Sequence, residues 1–350
     1  MRSRAVFAPL AAATCVGAVA LSGSDARSSE GVEPNHELVD KIVVSSDRHA
    51  PTLPPQNNRF ELYLINLDGS GEQRLTHNNV GDGFGTLSPD GTKIVFERGE
   101  PGNTSELFAM DADGSNESFL TRGGSPTWSP DSKSIAFHAS ASGTGRPINN
   151  LPGAATDDSD IFVANVDDLL EHRTPPRNLT NDPDHVDDDP DWSPNGQSIV
   201  YTSHDVNQRP VPPMPLDYTT AELYLRAADG SGTPLRLTAN AEEERAANWS
   251  HQGDRIAYMC HAGSAAFQFC ATDVNGNWSK ITNNGLPHLG PAWAPDDQRI
   301  FFNRPTPGRG NQLWWVTADG TTEQLLVPAS DPTGSTLFPD VGVLRVKTDM

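Results

Sequence analysis

The sequence predicts an all-β fold: a single six-bladed β-propeller of four-stranded antiparallel blades. Three observations predict it. A turn-and-strand motif recurs along the chain, as in "PDWSPNGQSIVYTS" (190–203). A second signature, a strand ending in an Asp-Gly-type turn and then usually Leu-Thr, follows each copy. No long amphipathic helix lies between copies, which argues against parallel βαβ architecture.

The first motif stands at "GTLSPDGTKIVFER" (85–98), "PTWSPDSKSIAFHA" (126–139), "AANWSHQGDRIAYMC" (246–260) and "PAWAPDDQRIFFNR" (291–304). Its shared column is Leu87, Trp128, Trp192, Trp249 and Trp293, and the tryptophans are expected to wedge between blades. In Ser-Pro-Asp-Gly, Pro presets φ, Asp bonds its own backbone and Gly accepts positive φ, so the segment is a turn. A β-branched and aromatic strand follows. Next come strands such as "ELFAMDADGSNESFLT" and "ELYLRAADGSGTPLRLT", giving four strands per unit. A sixth copy leads the series, "KIVVSSDR" (41–48) with "ELYLINLDGSGEQRLT" (61–76), its opening turn degenerate as "NHELVD". One sheet cannot bury both its faces alone, whereas six packed radially can. The blades fall at approximately 32–76, 84–121, 125–180, 189–238, 246–282 and 290–326. "LFPDVGVLRV" begins like another repeat with no blade behind it. The strand 337–346 is therefore expected to pair with an end blade, the first, and close the ring.

The repeat, Trp-Ser-Pro-Asp-Gly, then Ile-Ala-Phe, then Asp-x-Asp-Gly and Leu-Thr, resembles the TolB-type β-propeller repeat over roughly residues 32–345. The family's namesake carries an α/β domain ahead of its propeller. Here only a leader and a short polar segment precede the first repeat, so the resemblance implies the propeller part alone. It specifies fold more than function, because propellers host many activities.

The leader is read at 1–26: a basic "MRSR" and an apolar "AVFAPLAAATCVGAVALSG", with cleavage after Ala20 or Ala26. The remaining chain, 27–350, is expected as one exported domain, periplasmic or extracellular, with no transmembrane segment after cleavage. Thr14 and Ala12 fit a lipobox around Cys15 poorly. Without Cys15 two cysteines remain, Cys260 and Cys270, placed on neighbouring strands of the fifth blade. An even pair in an exported chain is expected to form a disulfide.

A formal net charge of −21 disfavours nucleic acid and anionic membranes, and favours a basic protein, a cation or a neutral ligand. No Gly-x-Ser-x-Gly elbow, His-Glu-x-x-His or Walker loop occurs in the required context. Ser88, Ser129, Ser193 and Ser250 recur at turns and are read as structural. A hydrolase domain of the kind beside prolyl oligopeptidase propellers has no room after Leu326.

In an up-and-down blade the Ser-Pro-Asp-Gly and Asp-Gly turns share a plain face. The insertions "DRHAPTLPPQNNR", "SASGTGRPINNLPGAATDDSD" and "SHDVNQRPVPPMPLDYTTA" fall on the opposite face, where long loops carry function. Five residues before the Leu/Trp column stand Asp82, Gly123, Asp187, Glu244 and His288, expected at that face's channel mouth. Asp188, Asp189, His204 and His261 join them. The expected binding set is Asp82, Asp187, Asp188, Glu244, His204, His261 and His288, and neutralising Asp187 with Glu244 is expected to weaken binding. A divalent cation there is compatible with those residue types: Zn or Mn if His dominates, Ca if carboxylates do. No cofactor is otherwise expected. The function expected is a monomeric binding scaffold for a protein, peptide or glycan. The alternative is a propeller enzyme, a polysaccharide lyase or hydrolase with a metal at the mouth, as in the oligogalacturonide lyases that resemble this repeat class.

Overall fold

The computed structural model describes residues 36–47, 60–78, 80–99, 105–140, 159–205, 221–240, 242–261, 263–306, 310–326 and 336–347. The leader, Cys15 and most of the three insertions lie outside the described residues.

The first repeat supplies β1 (His36–Ser46), β2 (Glu61–Asn66) and β3 (Gln73–Arg74). Blade two is β4 (Gly81–Leu87), β5 (Lys93–Gly99), β6 (Glu106–Asp111) and β7 (Ser118–Arg122). Blade three is β8 (Gly124–Trp128), β9 (Ser134–Ser140), β10 (Ser159–Asn165) and β11 (Arg177–Asn178). Its outer turn holds the one-turn helix α1 (Val166–Leu170), capped by Asn165, whose Oδ1 accepts the Asp168 N–H at 3.0 Å. Blade four is β12 (His185–Trp192), β13 (Ser198–Asp205), β14 (Glu222–Ala227) and β15 (Leu235–Arg236). Blade five is β16 (Glu244–Trp249), β17 (Ile256–Cys260), β18 (Gln268–Thr272) and β19 (Trp278–Lys280). Blade six is β20 (Leu289–Trp293), β21 (Arg299–Thr306), β22 (Gly310–Thr317) and β23 (Glu323–Leu325). The last strand, β24 (Thr336–Lys347), pairs antiparallel with β1 and completes blade one in the order β24-β1-β2-β3. The degenerate opening of the first repeat is explained by this pairing: the inner strand of that blade comes from the other end of the chain.

Each repeated residue has a mechanical job. The Ser hydroxyl of the turn accepts the backbone N–H five residues on: Lys93 to Ser88 at 2.9 Å, Ser134 to Ser129 at 2.9 Å, Ser198 to Ser193 at 2.9 Å and Arg255 to Ser250 at 3.1 Å. The Thr of Leu-Thr, or of Ile-Thr in blade five, accepts the N–H at the start of the third strand: Leu62 to Thr76, Ile161 to Thr180, Leu223 to Thr238 and Phe269 to Thr282, all at 2.9–3.0 Å. Both devices satisfy backbone donors where the ladder ends.

Among the described residues the core is divided into six apolar clusters, each spanning a pair of adjacent blades. The Trp column sits in these seams. Trp128 packs with Val95 and Leu107 of the preceding blade, and Trp293 packs with Ala257 and Phe269. Their indole N–H groups bond back to that blade, Trp128 Nε1 to Thr86 O and Trp293 Nε1 to Asn248 O, both at 3.1 Å. The sixth seam, between blades six and one, includes Val341 of β24 with Ile42 and Phe301.

Candidate functional site

The inner strands β24, β4, β8, β12, β16 and β20 enclose a central cavity of about 580 Å³. In five of them one residue adopts positive φ at the same place: Phe84 at 49°, Ser125 at 46°, Asp189 at 50°, Ala246 at 50° and Gly290 at 61°. Beside each, the pairing with the second strand slips by one residue, a β-bulge. The bulge re-aims the strand, so residues before and after it face different environments.

Past the bulge, the residue before the Trp column forms a polar belt. Asp340 Oδ2 accepts the Leu87 N–H at 3.1 Å, Asp191 Oδ2 accepts Trp249 N–H at 2.7 Å, and Asn248 Oδ1 accepts Trp293 N–H at 3.0 Å. Thr127 Oγ1 and Asn248 Nδ2 also donate to Asp191, at 3.0 and 3.1 Å. Each bond ties one blade to another across the floor of the channel. Burial raises the carboxyl of Asp191 to about 7, the charge of Asp340 adding to the rise, and burial likewise raises Asp340. Sequence reasoning missed this belt. The signal was a polar column immediately before Leu87 and the tryptophans: Thr86, Thr127, Asp191 and Asn248.

Ahead of the bulge lie the residues expected at the mouth, and most of them are buried at blade junctions. The Asp82 N–H bonds Phe60 O at 2.7 Å, Glu244 bonds Ala221 O at 2.9 Å and His288 bonds Phe267 O at 3.0 Å. In each case the acceptor precedes the third strand of the neighbouring blade. The Asp82 carboxylate pairs with Arg98 at 2.7 Å and accepts from Asn78 at 2.7 Å. Asp187, 2% exposed, is raised to about 7 by burial, the Ser203 and Thr180 hydroxyls opposing and Asp160 and Asp188 adding to the rise. Glu244 is raised to about 7, again by burial first, with Glu222 against it and Thr238 and Asn240 opposing. His288 is fully buried, bonded to Leu286 O at 2.8 Å and to Glu323 at 2.5 Å, with Arg304 alongside at 2.9 Å.

His204 is buried in β13 opposite Val186. His261 stacks on Phe267 at 4.3 Å, its Nδ1 3.2 Å from Ser264 O. Asp188 lies 3.9 Å from His138 Nδ1. Of the seven expected residues, Asp82 alone lines the cavity, whereas Asp189, Asp191, Asp340 and Glu97 do line it. Among the described residues no group of three or more His, Cys, Asp or Glu side chains is arranged to hold a metal ion. Cys260 and Cys270 are joined in a disulfide with Cα atoms 6.0 Å apart, buried in the seam between blades four and five.

The sequence profile of the TolB beta propeller domain matches residues 123–337. A curated Tol-Pal system protein TolB from Rhizorhabdus wittichii is 34% identical over 71 residues, 19% of this chain and 16% of that protein's length. Among solved structures, TolB from Acinetobacter baumannii superposes with a TM-score of 0.64 at 19% identity, over 89% of this chain and 68% of that one. An oligogalacturonate lyase from Vibrio parahaemolyticus superposes with a TM-score of 0.50 at 13% identity, over 78% and 72% of the two chains. At these identities both structures share the fold alone with this protein.

Proposed function

Because this chain belongs to the TolB beta propeller domain family, we propose that it is an exported interaction scaffold whose central channel, entered from the loop-bearing face, grips a basic segment of a partner protein. The observation that carries this reading is the acid-lined channel. Asp82, Glu97, Asp189, Asp191 and Asp340 line it, Asp82 already paired with Arg98, and the one cation among the described lining residues, Arg245, is itself paired with Glu243. Burial raises Asp82, Glu97, Asp191 and Asp340, so a positive group entering this concave, low-dielectric site would favour their ionised forms and be held by them, and the chain's net charge of −21 adds attraction at a distance. The similar curated protein is named for the Tol-Pal system, which supports a protein partner. Export is supported by the leader and by the formed disulfide, a bond at home in oxidising compartments. No helix among the described residues is long and apolar enough to cross a membrane.

The test is capture of partners from envelope and culture extracts on the immobilised protein. A partner is expected to be retained at low salt and released as salt rises. Asp189→Asn keeps a residue type that tolerates the φ of 50° at this position, and it should weaken capture several-fold with an unchanged melting temperature. Asp131→Asn, in a turn on the plain face, should leave capture intact. Retention that ignores salt and Asp189→Asn, or that is lost with Asp131→Asn, overturns the reading.

A further inference from the structure

Two neighbouring blades place unlike titratable side chains at one ladder position. Blade two holds Glu97 there and blade three holds His138, where the remaining second strands hold Ser45, Thr202, Met259 and Asn303. Opposite His138 on the inner strand stands Gly124. A Cβ at Gly124 would lie 2.7 Å from Glu97 Oε2 and 2.8 Å from His138 Nε2. The missing side chain therefore lets both groups lean onto one spot, at the junction of blades two and three. Glu97 and Ser125 connect that spot to the wall of the cavity.

The hydrogen bonds around this spot are unbalanced. Glu97 is 4% exposed; Ser105 Oγ donates to its Oε1 at 2.8 Å and Ser125 N to its Oε2 at 3.1 Å. Each carboxylate oxygen has two acceptor positions, so Oε2 has room for a second donor. His138 is 8% exposed, and its Nδ1 has no hydrogen-bond partner among the described residues. Asp188 Oδ1 stands 3.9 Å from that Nδ1, which favours the ring proton on Nδ1 and leaves Nε2 an acceptor. Two acceptors thus converge on one spot, and among the described residues no donor is bonded to Nε2. Burial raises the Glu97 carboxyl, and Asp189, which accepts from Ser125 Oγ at 3.1 Å, adds to the rise. A cation bonding both acceptors would offset these costs. Glu97, His138 and Asp188 are not arranged around one metal ion, so the fitting cation brings its own donors. A primary ammonium is compact and turns three N–H donors apart, whereas a guanidinium is a broad, planar fork.

We propose that this spot is a subsite for a primary ammonium, the end of a lysine side chain carried by the partner segment, which donates to Glu97 Oε2 and to His138 Nε2. The proposal rests on the reading of the channel as the site of a basic partner segment. It adds that lysine is the residue recognised, and that recognition lies at the junction of blades two and three.

The experiment titrates the full chain with acetyl-Gly-Lys-Gly-amide, with its Nε-acetyl-lysine counterpart and with acetyl-Gly-Arg-Gly-amide. The lysine peptide is expected to bind about tenfold more tightly than the acetylated one, the scale of one charge-assisted contact, and more tightly than the arginine peptide. Gly124→Ala puts a methyl group where the two side chains meet. Gly124 lies outside the positive-φ region and the atoms its Cβ meets are the far ends of side chains, so the ring should fold and the lysine preference should vanish. His138→Leu removes the imidazole acceptor at similar volume and breaks no hydrogen bond at Nδ1, and it should erase the same preference. If one variant melts uncooperatively, the other decides. Equal binding of the lysine and acetyl-lysine peptides, which a doubly protonated His138 bonded to Glu97 would give, overturns the subsite. Arginine binding as tightly as lysine does so too, because general attraction to an acidic channel predicts no difference between them. So does a preference that survives in the variants. A protein that captures its partner but shows no lysine preference overturns the subsite and leaves the proposed function standing. One that prefers lysine but captures no partner does the reverse.

Discussion

Glu244 carries a carboxyl held up to about 7, and burial is the first cause. Around it stand Glu222, which accepts from Arg236 at 2.5 Å, the polar groups of Thr238 and Asn240, and Tyr258, whose own hydroxyl burial pushes upward. Asp187 shows the same pattern one blade earlier, beside Asp160. A carboxyl raised in the folded state binds its proton more tightly there than in the unfolded chain. Its contribution is full below the ordinary carboxylate range and is lost as pH rises through about 7. The melting temperature should therefore fall between about pH 5 and pH 8. Glu244→Gln should flatten that slope, by an amount on the order of 1–3 kcal/mol across the window. His288, whose imidazole burial lowers, tilts the profile the other way, but it does so equally in both proteins. Thermal melts of both across that range decide it; parallel profiles would mean that Glu244 is ionised in the ring throughout. Neutralising Asp187 and Glu244 together thus reads first on stability, because both side chains close blade junctions.

At the scale of the element, the inner strand is where the sequence was least legible. The turn, the second strand and the Leu-Thr signature could be read because each uses residue types tied to one local conformation, such as Pro-Asp-Gly or a β-branched run. The bulge has no such signature. Its positive-φ residue is Phe84, Ser125, Asp189, Ala246 or Gly290, five types with nothing in common. Counting five back from the Leu/Trp column therefore placed Asp82, Asp187, Glu244 and His288 at the mouth; the bulge leaves Asp82 on the cavity, turns Asp187, Glu244 and His288 to the junctions and gives the rest of the channel to residues nearer the tryptophans. Alternate glycines of β4 separate packing from space. A Cβ at Gly85 would lie 2.8 Å from Val43 Cγ1 and 3.0 Å from Leu62 Cδ2, in the seam between blades one and two. Gly85→Ala is expected to cost about 1–3 kcal/mol, as overpacking does, while Gly83→Ala should be close to neutral. Chemical denaturation of the pair checks this; equal midpoints would mean that the seam yields freely at Gly85.

For the whole molecule the decisive feature is how the ring is shut. Blade one takes β1, β2 and β3 from the start of the propeller and β24 from its end, so its sheet joins residues about three hundred positions apart. The strand does more than cover an edge. It occupies the innermost position, where Asp340 accepts the Leu87 N–H and tightens the floor of the channel toward blade two. Val341 enters the seam toward blade six with Ile42 and Phe301. Removing residues 336–350 would therefore leave β1 with an unpaired edge facing the channel, strip one wall from the cavity and weaken two of the six seams. In a linear stack of repeats such a loss is confined to the end unit. In a closed ring it reaches both neighbours, so the truncated chain should melt at lower temperature over a broader range, and blades six, one and two should lose amide-exchange protection before blades three to five. Adding a peptide of residues 336–347 back to the truncated chain should restore part of the protection, since the edge of β1 remains a template for it. A truncated protein that melts with full-length cooperativity would mean that the six seams hold the ring without its closing strand.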